Sequence, residues 1–146
     1  MYCNFNDLYT RYYPGEGPDL LSVDIDSNDY HILAALNPLT ATVIVLEYHP
    51  TFARPIEWVM DYNPNHAWDG DDNYSASLKA YELLLSEKGY ALVGCTSNGN
   101  TAFFNKTLLA NGRFHKDCSA EFHYEPQRFW MTYAFMAGHR FNGNGQ

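Results

Sequence analysis

The sequence predicts an α/β fold: a partial Rossmann-like sheet in which parallel strands are joined by helical crossovers and the chain ends in an antiparallel hairpin. Three observations carry this expectation. Residues 20–26 and 42–48 are both apolar and rich in β-forming side chains, and a helical pattern lies between them. A helical crossover makes such strands parallel and gives the connection a right hand. Further along, an Asn98-Gly99 pair separates two more strand-like segments, the mark of a hairpin.

The elements follow in order. Residues 6–13 suit a short helix capped by Asn4 or Asn6, and Pro14-Gly15-Glu16-Gly17-Pro18 forces a loop after it. The first strand covers residues 20–26. Ser27-Asn28-Asp29 offers cap chemistry, and Ile32, Leu33, Ala35 and Leu36 form one helical face that Asn37-Pro38 stops. The second strand covers residues 42–48. Residues 49–74 show no periodicity but contain Trp58, Trp68 and three prolines, so they read as a long lid-like loop with a short helix near residues 56–60. Residues 75–88 give the strongest helical pattern, with Leu78, Tyr81, Leu84 and Leu85 on one face and Gly89 as a stop. Residues 90–95 and 101–105 form the hairpin. Residues 127–137 suggest an aromatic helix, and the Gly- and Asn-rich end after it should fray. Residues 1–106 therefore read as one unit and residues 107–146 as a partly helical C-terminal extension.

Bulk composition narrows the function classes. A chain of 146 residues with 46% hydrophobic content can bury a core, and an aromatic content of 16% points to a pocket or interface as well. The net charge of -8 gives no basic footprint for nucleic acid and opposes docking on anionic membranes. It suits solubility, a bound cation or an amine-bearing substrate. Cys3, Cys95 and Cys118 are too widely spaced for a zinc site or a disulfide framework, which fits a reducing, cytoplasmic setting. No signal peptide or membrane span is expected.

Parallel strands joined by a crossover end at the same edge of the sheet. Asp24, Asp26 and Glu47 should therefore face one crevice, where open α/β sheets bind ligands. Hard divalent cations prefer such carboxylate oxygens. The pair Asp24 and Asp26 also suits a substrate hydroxyl or amine, and Asp26 suits a helix cap. Crowded like charges call for a cation, a basic residue or a proton. His49, just beyond Glu47, is placed to act as a base. The run Asp69-Gly70-Asp71-Asp72-Asn73 fails as a calcium loop, because Tyr74 stands where Gly is required and Ala80 where Glu is required.

The segments at residues 20–30 and 43–48, Trp68-Asp69-Gly70, residues 74–78, residues 88–95 and residues 100–104 together resemble FkbM-type and related methyltransferase-like proteins. The resemblance spans residues 5–106 and implies the second half of a class I S-adenosylmethionine-dependent methyltransferase fold. Ser27 and Ser75 stand where that family usually has Gly. The family's Gly-rich cofactor turn belongs to the earlier half, and Gly15-Glu16-Gly17 precedes its strand rather than following one. The resemblance spans Asp24, Asp26, Glu47 and His49, whose places at the strand ends make them the candidate catalytic residues. It marks Asn28, Asp29, Tyr48, Trp68, Asp69 and Tyr74 as candidate substrate-binding residues. It also implies that the strand at residues 20–26 becomes a sheet edge, to be covered by a second copy (a homodimer), a partner subunit or the C-terminal extension. The expected function is a methyltransferase-like protein that lacks the N-terminal cofactor-binding half and acts on a small molecule with a partner chain. The alternatives are a non-catalytic binding module and a metal-dependent transferase using Asp24 and Asp26.

Overall fold

A four-stranded mixed sheet forms the centre of the structure, a computed structural model that describes residues 2–107 and 112–128. In chain order the elements are α1 (Tyr2–Tyr12), β1 (Leu20–Val23), α2 (Asp29–Ala35), β2 (Val43–Glu47), α3 (Leu78–Glu87), β3 (Tyr90–Cys95), β4 (Thr101–Lys106) and the short α4 (Ala120–His123). The strand order is β1-β2-β4-β3. β1 and β2 are parallel, with Leu21 opposite Ile44 and Val23 opposite Leu46. β4 is antiparallel to both β2 and β3. The expected parallel pair and hairpin are thus present, and β1 is an outer strand.

β1 is shorter than the expected strand over residues 20–26. The carboxylate of Asp29 accepts the backbone N–H groups of Ile25 (2.9 Å) and Ser27 (3.0 Å), and Asp26 adopts φ +53°. Those bonds draw residues 25–27 into a turn and take away donors that a strand would need. Asn28 precedes α2 but gives it no side-chain cap. At the other end of α2, Lys88 Nζ donates to the carbonyls of Ala34 (3.0 Å) and Leu36 (2.9 Å), satisfying groups the helix cannot pair itself.

Three other boundaries differ from expectation. α1 begins at Tyr2, so Asn6 lies inside the helix; its Nδ2 donates to Ala35 O at 2.7 Å and ties α1 to α2. Residues 56–60 are not helical. The N–H of Trp58 donates to Ser77 Oγ, the N–H of Met60 donates to Ser75 O, and Val59 pairs with Ala76 in an isolated bridge. The same bridge holds Ala76 extended and Ser75 at φ +59°, which delays α3 to Leu78, where Ser77 Oγ caps Ala80 N–H. Gly89 adopts φ +84° after α3, as a left-handed helix stop requires.

The core joins Leu33 and Leu36 of the α2 region, Ile44 and Leu46 of β2, Tyr81 and Leu85 of α3, Leu92 of β3 and Phe104 of β4, all essentially shielded from solvent. Ala120 belongs to the same core, so α4 packs with the sheet and helices of residues 1–106. Residues 127 and 128 are not helical, and the rest of the expected aromatic helix and the fraying end lie outside the described residues. Among the described residues, no helix is long and apolar enough to cross a membrane.

Candidate functional site

Asp24 follows β1 directly, Asp26 occupies the turn beyond it, and Glu47 is the last residue of β2. Because β1 and β2 are parallel, all three reach the same rim. One oxygen from each carboxylate lies within 4.8 Å of the others. Asp24 and Asp26 are exposed, whereas Glu47 is partly buried.

This crowding sets the protonation chemistry. Burial, then the charges of Asp24 and Asp26, push the Glu47 carboxyl up to about 7, against an opposing hydrogen bond from Asn100. Asn100 Nδ2 donates to Glu47 Oε1 at 3.3 Å. Burial and the charges of Asp26 and Asp29 raise Asp24 in the same direction. The rim is therefore a place where negative charge is concentrated and a proton is held near neutral pH.

The remaining candidates divide between the rim and its supports. Asp29 is buried and spends both oxygens on Ile25 and Ser27 N–H, so it shapes the turn that presents Asp24 and Asp26. Asn28 is also buried: its Oδ1 accepts Asn63 N–H at 3.1 Å and its Nδ2 donates to Asn63 O at 2.8 Å. Both side chains thus spend their polar atoms on backbone groups of the fold. Tyr48 is buried, and its hydroxyl donates to Glu125 O at 2.7 Å, so it anchors the extension.

The geometry does not suit His49 as a base. Its side chain is fully buried, Nδ1 accepts Thr51 N–H at 3.3 Å, and Nε2 bonds to Asp72 O at 2.8 Å. Nε2 therefore carries the proton, and both nitrogens serve the loop. The ring also packs against Tyr74, with centroids 4.5 Å apart, and against Phe52, which stacks on Trp58 at 4.2 Å.

Tyr74 connects this aromatic cluster to the rim. It is buried, and its hydroxyl is held protonated by burial and by the charges of Glu47, Asp72, Asp26 and Asp24. Trp68 is 40% exposed, donates Nε1–H to Asp71 O at 2.8 Å and meets Tyr74 edge-on. Asp69 is exposed in the same loop.

Two contributors escaped the sequence reading. Asn100 reaches Glu47 only because Glu47 pairs with Thr101 across β2 and β4. Ser75 donates its hydroxyl to Glu47 O at 2.9 Å and meets the Tyr81 hydroxyl at 2.9 Å, which fixes the end of β2. The β-hairpin pattern could have pointed to Asn100, whereas nothing local marks Ser75.

No family model matches this chain, nor does any curated protein or solved structure.

Proposed function

We propose that this chain is a methyltransferase-like α/β unit whose acidic crevice receives the polar group of a small-molecule acceptor. The convergence of Asp24, Asp26 and Glu47 beyond a parallel strand–helix–strand pair carries this reading. The parallel pair followed by a hairpin agrees with the resemblance of residues 5–106 to the second half of a class I methyltransferase fold. In this reading Asp24 and Asp26 orient the acceptor's polar groups, and Glu47 in its carboxylate form takes the one proton that the acceptor hydroxyl or amine gives up as it gains the methyl group, a task suited to a carboxyl that titrates near 7.

S-adenosylmethionine supplies the methyl group in that class. The described residues hold no Gly-rich strand–loop–helix to cradle it. The chain's own residues are therefore assigned to the acceptor side and to part of the cofactor's binding surface, and a partner chain completes the donor side.

A second reading, a metal-dependent transferase, is favoured by the same cluster. Three carboxylate oxygens within 4.8 Å suit a hard divalent cation, which would be held by Asp24, Asp26 and Glu47 and would neutralise their repulsion.

Calorimetry separates the readings, using the purified chain with S-adenosylmethionine and with magnesium, singly and together. Heat with S-adenosylmethionine supports the methyltransferase reading. Heat with magnesium alone, lost in Asp24→Asn, supports the metal-dependent one. No heat with either ligand overturns both and leaves a non-catalytic binding module.

A further inference from the structure

Among the described residues, β1 pairs on one side only, with β2. The other side presents a row of backbone donors and acceptors to solvent. Folded proteins usually blunt such an edge with lysine, proline or a bulge. Leu20-Leu21-Ser22-Val23 has none of these, and Leu20 is 57% exposed. An apolar groove of about 350 Å³ runs beside the strand, between Leu21 and the α1 residues Phe5, Leu8, Tyr9, Tyr12 and Tyr13.

A bare strand edge accepts an extended chain, and an adjoining groove accepts its alternate side chains. Charge decides which chain. Asp19 and Asp24 bracket β1, both exposed, and Glu16 lies just before them. Antiparallel pairing of all of β1 with a second copy sets Asp19 opposite Asp24. Parallel pairing sets each opposite itself. Like charges placed directly opposite are destabilising, and the chain as a whole carries -8. Self-pairing is therefore disfavoured.

We propose that the β1 edge docks an extended segment of a different polypeptide, apolar at its centre and basic at its ends. Main-chain hydrogen bonds extend the sheet, one apolar side chain enters the groove under α1, and the basic ends meet Asp19 and Asp24. The docked segment shares Asp24 with the acidic crevice, but its test rests on Asp19 and Leu20, which lie outside that crevice.

The test uses the whole chain with two synthetic peptides, acetyl-Lys-Val-Thr-Ile-Val-Lys-amide and its Glu-ended counterpart. Binding is followed by fluorescence anisotropy, amide exchange and sedimentation. The Lys-ended peptide should bind at least about tenfold more tightly, lose affinity as salt rises, and slow exchange of the Leu20 and Ser22 amides, which face away from β2. Asp19→Lys, at an exposed position, should remove or reverse the preference. Leu20→Lys should weaken the Lys-ended peptide about tenfold. Equal binding or no binding of the two peptides overturns the proposal. So does a dimer, or a free monomer, in which the Leu20 and Ser22 amides, the β1 donors that face away from β2, are already protected.

Discussion

The buried carboxylate of Asp29 accepts the backbone N–H of Ile25 at 2.9 Å, and this bond ends β1 one residue before the acidic crevice begins. Its other oxygen takes Ser27 N–H at 3.0 Å. Asp24 and Asp26 are thus presented by a turn that a third acid holds. Hydrogen bonds to a charged group each contribute about 1.5–3 kcal/mol, and lost partners leave the N–H groups unsatisfied. Asp29→Ala should therefore destabilise the fold by about 2–4 kcal/mol in urea unfolding. Asp29→Asn should be milder, because one acceptor oxygen survives.

Glu47 gives the stability curve a sign. Its carboxyl titrates at about 7 in the fold, against an ordinary value of 4.5. Below about pH 4 both states are protonated and no penalty exists. As pH rises, the unfolded chain releases this proton first, so the native state binds more protons and stability falls. The loss is complete above about pH 7 and amounts to about 2–3 kcal/mol. Glu47→Gln should abolish that dependence and leave the protein more stable at pH 8. Urea unfolding of both proteins at pH 5 and pH 8 checks it, and a wild type that gains stability over this range would contradict the assignment.

The same neighbours should be visible in a direct titration. The charge of Asp24 is the largest contribution to the Glu47 shift after burial itself. Asp24→Asn should therefore move the Glu47 titration down by about a unit or less, because Asp24 is exposed and water screens its charge. Carboxyl carbon NMR shifts followed against pH measure this without any assumption about ligand or activity.

The parts of this arrangement that depend on chain spacing were legible in the sequence. The apolar runs, the crossover between them and the Asn98-Gly99 turn imply a parallel pair and a hairpin, and so bring Glu47 to the Asp24 and Asp26 rim. Residues 90–95 were expected as a strand and form β3. The parts that depend on side chains finding distant backbone were not legible. Asn28 pairs with Asn63, Asp29 folds back on Ile25, and His49 turns inward to Asp72. Each looks locally like a cap, a ligand or a base, and only the folded loop assigns it another use. The expected helix at residues 56–60 failed for the same reason: its donors are taken by Ser75 and Ser77.

Asn28 pins the long loop through both polar atoms of its amide, at 3.1 Å and 2.8 Å from the backbone of Asn63. No apolar contact can replace a paired donor and acceptor at that point. Asn28→Ala should release the loop near Tyr62 while leaving the core of α3 and β2 intact. Limited chymotrypsin digestion should then cut after Tyr62, which is 38% exposed, several-fold faster than in the wild type. Unchanged cleavage would show that the aromatic cluster around His49 holds the loop without Asn28.

Residues 124–128 cross the hairpin tip, and Gly99 makes that crossing possible. Arg128 N–H donates to Asn98 O at 2.8 Å, its guanidinium reaches Ser97 O at 2.6 Å, and Tyr48 donates to Glu125 O at 2.7 Å. Gly99 adopts φ +80°, and a Cβ there would collide with the carbonyl of Pro126. Gly99→Ala therefore meets both a backbone and a steric penalty, about 1–3 kcal/mol in total. The cheapest relief is for residues 124–128 to lift away, since the turn is held by the strands on either side. Amide exchange should consequently accelerate at Arg128 more than at Phe104 of β4. An equal acceleration at both sites would mean that the crossing segment and the sheet unfold as one unit.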